Sequence, residues 1–389
     1  MNRAGDTRPR ILHVITSFGR GGAETMLAQL LIASRDGPFQ QGLIVLRDQA
    51  SLLPALHAEG IPGHSLEMPG GGLPGPLRLR RFAALVREFQ PDLLQGWLYH
   101  GNLAALAAAR LCPGRPPVLF NLRNLLHDIR REPSFTRLAI RLGGRCSRRV
   151  AVIVHNARLS VEHHARVGYP AARALVIPNG VDCTRFRPDP EAYRAVRAEL
   201  GLAPGTLLVG RICRYHPVKD HAGFLAAARR VLAAGHDVRF LLAGIGITPD
   251  NPALAAELGR CAEPGRFYLL GERRDIPRLT AALDIAVSSS LSEAFPNTVA
   301  EAAACGVPCV VTDVGESAEI IGPGGRVVAP HDPPALAAAL AQLLDLGEAR
   351  REPGRLARAR VVERFSLETA VGHYQRLYRQ VLAGEPLPL

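Results

Sequence analysis

No apolar run in this 389-residue chain reaches the roughly 20 residues that a membrane-spanning helix needs. The opening MNRAGDTRPR has no hydrophobic stretch behind its basic residues, so a secretory signal is not expected. Cysteine is sparse and scattered, at 112, 146, 183, 213, 261, 305 and 309, with no C-x-x-C pair. That pattern excludes the common zinc and disulfide frameworks and points to reduced thiols in a cytoplasmic setting. Cys305 and Cys309 flank Gly306-Val307-Pro308 and read as small apolar residues rather than metal ligands. Aromatics make up 5% and no nucleic-acid recognition motif is present, so nucleic acid is a poor match for the net charge of +12. A field of that sign, carried mostly by arginine, draws anionic substrates or an anionic membrane surface.

What is present is ordinary for a globular chain: 47% hydrophobic and 21% charged residues, and enough length for two domains. Residues 11–17, ILHVITS, read as a first buried strand, followed by a tight loop, Phe18 to Glu24, and a helix to about Ser34. Glycines at that junction let a ligand approach backbone N–H groups. The loop also half matches a dinucleotide fingerprint, with Glu24 in place of the third glycine and Asp48 available to a ribose. A nicotinamide-dependent oxidoreductase therefore stands as an alternative. Further strands are expected at 43–46, 92–95, 118–121, 150–154 and 174–177, which predicts a doubly wound parallel sheet. Gly70-Gly71-Gly72 and Pro74-Gly75-Pro76 mark a surface loop. Residues 134–149 form a helix with Arg137, Arg141, Arg145 and Arg148 on one face and Leu138, Ile140 and Leu142 elsewhere; that face suits either water or anionic lipid.

The densest signal runs from Ser288 to Gly322. A buried strand over 283–287 leads into Phe295-Pro296-Asn297, an Ala-rich helix that stops at Gly306, and a strand from Cys309 to Thr312. Ligands of open α/β sheets sit outside the carboxyl ends of strands, where this loop lies. Glu293 is in the loop and Glu301 in the second helical turn, leaning back toward the same mouth. Free N–H groups of Asn297, Thr298 and Val299 make an anion-receptive helix start between them. Carboxylates suit sugar hydroxyls and amides suit phosphate, a combination that matches a nucleoside-diphosphate sugar.

This stretch, with S-x-x-E at Ser290 to Glu293, then Glu301, Ala304-Cys305-Gly306-Val307-Pro308, Thr312, Gly315 and Glu319, resembles the donor signature of family 4 glycosyltransferases. The resemblance implies a retaining enzyme of GT-B fold, two Rossmann-like doubly wound domains facing each other across a cleft. Ile177-Pro178-Asn179-Gly180-Val181-Asp182 is similar to the family's inter-domain linker. It implies domains at 1–182 and 183–366, with a closing helix in 367–389 that crosses back to the first. Gly19-Arg20-Gly21-Gly22-Ala23-Glu24 resembles the family's glycine loop, so Gly21 and Gly22 face the donor phosphate.

Arg214 and Lys219 match the family's diphosphate-binding Arg and Lys, with Arg211 in reserve, and Arg273 is the expected contact beside the base. Phe295, Pro296, Asn297 and Thr298 would meet sugar and phosphate through backbone, Glu301 the ribose and Glu293 the hexose. Arg123 stands where many members have a histidine that contacts the transferred sugar; it either joins Glu293 and His100 in the catalytic set or binds phosphate or an anionic acceptor. Trp97, Asn102 and Asn124 fall on the family's acceptor side, although a capped helix with a core tryptophan accounts for Trp97 equally. No two aspartates are spaced D-x-D, so no metal or other cofactor is expected. The resemblance thus implies transfer from a UDP- or GDP-sugar to a glycan or lipid-linked acceptor in cell-surface polysaccharide synthesis. It places the enzyme in the cytoplasm or on the inner face of the membrane. A non-catalytic nucleotide-sugar-binding protein is the remaining alternative.

Overall fold

The computed structural model describes residues 7–19, 21–68 and 75–387. The chain divides into two units, Met1–Gly180 with Leu367–Leu389, and Val181–Ser366. Each is a wholly parallel sheet with helices on both faces.

In the first unit the elements run β1 (Arg10–Ile15), α1 (Gly22–Ala33), β2 (Gln40–Arg47), α2 (Leu53–Ala58), β3 (Gly63–Met68), α3 (Pro76–Phe89), β4 (Leu93–Trp97) and α4 (Leu98–Ala109). They continue with β5 (Val118–Leu122), α5 (Ser134–Cys146), β6 (Val152–His155), α6 (Arg158–Ala165) and β7 (Ala174–Val176). The sheet order is β3-β2-β1-β4-β5-β6-β7, with every neighbouring pair parallel. Strands such as Ile11–Ile15 are buried along their whole length, as expected for a sheet covered on both sides. One face packs α1, α2 and the closing helix, Leu367–Ala383, which carries Val371, Tyr374, Leu377 and Tyr378 into the core. The other face packs α3, α4 and α5.

The second unit runs α7 (Pro190–Glu199), β8 (Leu207–Ile212), α8 (His221–Ala233), β9 (Val238–Ala243), α9 (Pro252–Leu258), β10 (Phe267–Leu269), α10 (Ile276–Ala281) and β11 (Ile285–Ser288). It ends with α11 (Asn297–Ala304), β12 (Cys309–Thr312), α12 (Ser317–Ile321), β13 (Gly325–Val328), α13 (Pro333–Asp345) and α14 (Arg351–Arg364). Its order is β10-β9-β8-β11-β12-β13. In each unit the strand order reverses beside the first strand, between β1 and β4 and between β8 and β11. These are the points where an open sheet leaves a crevice at its carboxyl ends.

The boundary falls after Gly180, two residues before the place the linker motif suggests. The glycine and proline residues 70–72 and 74 lie outside the described residues, as does Arg20; Gly75 caps α3 and Pro76 opens it. Helix α5 stops at Cys146 and a short 3-10 turn, Ser147–Arg149, follows. Its apolar residues divide differently from the sequence pattern: Ala139 and Ile140 face the core, while Phe135, Leu138 and Leu142 are exposed among the arginines. No helix among the described residues is long and apolar enough to cross a membrane.

Candidate functional site

In the second unit the site is built where β8 and β11 end. Arg211, near the end of β8, is 2% exposed; its guanidinium donates to Ser289 Oγ and lies 5.5 Å from the centre of the Phe224 ring. Its Nε and second terminal nitrogen have no hydrogen-bond partner among the described residues. A buried guanidinium with unused donors and no carboxylate beside it is a standing demand for an anion. The chain then leaves the sheet through an exposed Arg214 and a short turn, Pro217–Lys219. The Lys219 ammonium pairs with Glu293 Oε1. Ser289 Oγ donates to the Asp220 carbonyl (2.9 Å), and Leu291 N to the Val218 carbonyl (2.8 Å), so the two strand-end loops are fastened together. His221, stacked on Tyr215 at 5.0 Å, is pushed down to about 4 by burial, reinforced by Arg211 and Lys219.

Glu293 and Glu301 differ in environment. Glu293 is held by Lys219 and by Ser290 Oγ at 2.9 Å. Glu301 lies in the second turn of α11 with no ion pair or side-chain hydrogen bond among the described residues, beside a cavity of about 20 Å3 lined also by Ile212, Ser288 and Thr298. Desolvation raises its carboxyl to about 7, against a smaller opposing effect of Arg185. The start of α11 is less open than its sequence implies. Pro296 is the cap rather than the first helical residue, and the Val299 N–H turns back to the Pro296 carbonyl at 3.1 Å. Phe295 is buried against Phe365, so only its backbone can face a ligand.

In the first unit, β4 passes directly into α4 through Leu98, whose φ of 60° is unusual for a branched side chain. The helix lies so close that a Cβ on Gly96 would sit 2.3 Å from the Asn102 Cα. Asn102 is fully buried and braces β5, accepting from Asn121 N (3.0 Å) and donating to Asn121 O (3.4 Å). Trp97 is also fully buried; its N–H donates to His13 Nδ1 at 3.0 Å, which leaves the His13 proton on Nε2, facing Gln41 Oε1. Arg123 is 8% exposed, over the Trp97 ring, and donates to the Ile177 carbonyl, the Tyr374 hydroxyl and Asn179 Oδ1. Asn124 donates to the Tyr99 hydroxyl at 3.0 Å, which also meets His164 Nε2 at 2.9 Å. His100, by contrast, is half-buried with no side-chain hydrogen bond among the described residues, and desolvation, with help from Arg47, lowers its pKa.

Comparison with known proteins fits this geometry. The model of Glycosyltransferase Family 4 matches residues 20–185, and that of Glycosyl transferases group 1 matches 203–346. The chain is 30% identical to the lipopolysaccharide core biosynthesis mannosyltransferase LpsB of Rhizobium meliloti over 296 residues, 73% of this chain and 79% of that one. It belongs to the family 4 glycosyltransferases. It is also 26% identical to EpsF of Bacillus subtilis (strain 168) over 326 residues, 79% of this chain and 80% of that one. The crystal structure of Anabaena Alr3699/HepE in complex with UDP superposes with a TM-score of 0.82 at 23% identity, over 95% of this chain and all of that one. The fold is GT-B.

For this glycosyltransferase several expected contacts move. Trp97 and Asn102 are not acceptor-facing: both are sealed in the core with their polar atoms engaged. Arg123 is no free catalytic cation, because its fork ties β5 to the closing helix and to residues 177–179. Asn124 has its amide turned inward. Arg273 does not wait for a base: it grips both Asp275 oxygens at 2.8 Å and Glu199 at 3.0 Å, beside Arg278. Arg214 is exposed, and Arg211, the reserve residue, takes the buried place beside Lys219. Gly21 caps α1 and Gly22 opens it, with Ser17 Oγ donating to Glu24 at 3.1 Å in the same loop. Asn297 and Thr298 remain half-buried at the start of α11. Sequence reasoning gave no site role to Ser289, to Ser290 beyond its place in the S-x-x-E motif, or to Tyr374 beyond the closing helix. The run of three serines behind a buried strand was the available signal for the first two. The oxidoreductase alternative falls with the family assignment.

Proposed function

We propose that this glycosyltransferase moves a hexose from a nucleoside-diphosphate sugar to a hydroxyl of a glycan or lipid-linked acceptor, with retention of configuration, in cell-surface glycan assembly. The observation that carries the reading is the unsatisfied pair at the strand ends: a buried arginine with idle donors and a desolvated carboxyl with no partner. Arg211 and Lys219 take the diphosphate and stabilise the charge that grows on it as the glycosidic bond breaks. Glu301 accepts from the ribose diol, and Glu293 from the hexose. The acceptor attacks from the leaving-group side, with the diphosphate taking its proton, so no protein nucleophile is required. With two fixed cations in place, the leaving group needs no metal. His100, neutral and open, stands on the acceptor side, and Gly21 and Gly22 offer backbone N–H groups there.

Relatives give the choice of probes. LpsB is named a mannosyltransferase of lipopolysaccharide core biosynthesis, and HepE was solved with UDP and with UDP-glucose. A thermal-shift panel of UDP-glucose, UDP-galactose, UDP-N-acetylglucosamine, GDP-mannose and the free diphosphates tests the donor. A ligand of the native state raises the Tm by mass action. One nucleotide sugar should do so, and Glu301→Ala should abolish both the shift and the transfer while remaining folded. Silence across the panel refutes the reading.

The reading extends to a membrane surface. Helix α5 exposes Phe135, Leu138 and Leu142 among Arg141 and Arg145, with Arg137 half-exposed and Arg148 exposed in the turn that follows. Helix α3, on the same face of the sheet, opens with exposed Leu77 and Leu79 among Arg78, Arg80 and Arg81. Apolar anchors interleaved with arginine suit an anionic lipid interface, at about 1 kcal/mol per basic residue near the surface. The chain should sediment with phosphatidylglycerol vesicles and not with phosphatidylcholine alone, and L138D/L142D should lose that binding. Equal recovery with both lipids, or none, refutes it.

A further inference from the structure

We infer that Ser290 is a positioning residue for the transfer: its hydroxyl keeps Glu293 aimed at the sugar once Lys219 leaves that carboxylate for the diphosphate. The inference rests on the donor reading above. Lys219 and Glu293 neutralise each other in an ion pair. Both the ammonium and the Ser290 hydroxyl act on the same oxygen, Oε1, and Oε2 has no partner among the described residues. Oε2 is therefore the oxygen open to sugar hydroxyls. A diphosphate outbids a single carboxylate for the ammonium because it carries more charge and more acceptor oxygens. After that exchange, one tether remains to stop Glu293 from rotating: the hydroxyl of Ser290.

Ser290 is itself held firmly. It is 2% exposed, and its carbonyl accepts from Thr312 Oγ1 at 2.5 Å. The next amide, Leu291 N, is fixed to the Val218 carbonyl in the turn that carries Lys219. On the far side of the loop Gly315 has φ of +54°, and a Cβ there would lie 2.1 Å from the Glu293 carbonyl oxygen. Glu316 N completes the clamp by donating to the Ala294 carbonyl at 3.0 Å. Adjacent serines thus divide the work: Ser289 accepts from the Arg211 cation, and Ser290 donates to the Glu293 anion. Ser290 acts on the substrate only through Glu293, so its removal should be felt by the sugar and not by the nucleotide.

Calorimetric titration distinguishes these outcomes, using the panel's best nucleotide sugar and the matching nucleoside diphosphate. Ser290→Ala should bind the diphosphate within about twofold of the unaltered protein and the nucleotide sugar roughly five- to tenfold more weakly, the size of one hydrogen bond to a charged group. Added to Glu293→Gln, Ser290→Ala should change nothing further, since the two act as one unit. Equal weakening of both ligands, no weakening, or an additive loss in the double variant overturns the inference while the donor reading stands. Silence of the unaltered protein with every panel ligand removes the donor reading and this inference with it. Should Ser290→Ala fail to fold, Thr312→Val, which loosens Ser290 without touching Glu293, should show the same selective loss in smaller measure; an unselective one overturns the inference.

Discussion

Replacing Glu301 with glutamine should make the ligand-free protein more stable and useless to its donor. The folded carboxyl titrates near 7, against 4.5 for an ordinary glutamate, and desolvation is the leading cause. Each pKa unit is worth about 1.4 kcal/mol, so the ionised carboxylate costs the folded state roughly 3 kcal/mol at pH 8. The sign follows from proton binding. Between pH 4.5 and 7 the folded state holds more protons at this site than the unfolded chain, so stability falls as pH rises through that window. The full penalty applies above it. Glutamine keeps the shape, carries no charge and breaks no hydrogen bond or ion pair among the described residues, giving up only the smaller attraction of Arg185. Urea unfolding of the two proteins at pH 8 and pH 5 gives the test, other groups cancelling in the difference. The variant should gain about 2–3 kcal/mol at pH 8 and roughly 1 kcal/mol or less at pH 5. At the same time it should lose its nucleotide-sugar thermal shift. A gain that does not vary with pH, or no gain at all, would show that the carboxylate is not desolvated as described. A desolvated, half-buried charge kept at a cost is what a binding group is expected to show.

Other perturbations follow the same reasoning. Arg123→Ala removes three internal hydrogen bonds and strands the groups that accepted them, so the urea midpoint should drop by the equivalent of about 2–4 kcal/mol. A variant as stable as the parent but without transfer would return Arg123 to a catalytic role. His13 and His164 are held near 4, and His155 near 3, by burial, so they are neutral when folded and titrate near 6.5 when unfolded. Stability should be level above about pH 7 and decline as pH falls toward 4, by about 2 kcal/mol at pH 5 for His13 alone. A flat profile between pH 7.5 and 5 would contradict their neutrality. Gly315→Ala should cost stability and sugar affinity together, through both its positive φ and its contact with the Glu293 carbonyl, in unfolding and binding measurements on one sample.

Much of the fold was legible because its signals are local. Buried runs such as ILHVI and CVVT, separated by helix-length segments, can form only a covered parallel sheet. The two units part after Gly180, inside the linker motif, and the closing helix had its core side spelled out in Leu367, Tyr374, Leu377 and Tyr378. Helix α14, poor in apolar residues and interrupted by Pro353-Gly354, gave no such signal. Site residues divided by another rule. Glu293, Glu301 and Lys219 lie where the strand ends put them. The arginines did not follow the motif's spacing, because a guanidinium's role depends on which partners fold around it. Arg273 met Asp275 and Glu199, Arg123 met Tyr374 and Asn179, and Arg211 met Ser289 and the Phe224 ring.

By itself, then, the sequence determined the two parallel sheets, the order of their elements, the strand-end loop with its two glutamates and the kinship that goes with it. These rest on periodicity, turn chemistry and short spacings, which do not depend on distant residues. Only the tertiary structure decided which polar groups were left over. Tyr374 is 251 residues from Arg123 and Ser289 is 78 from Arg211, and the hydrogen bonds between them settle which cation is brace and which is open. Burial without a partner exists only once the chain has closed around a group, so the idle donors of Arg211 and the raised carboxyl of Glu301 could be read nowhere else.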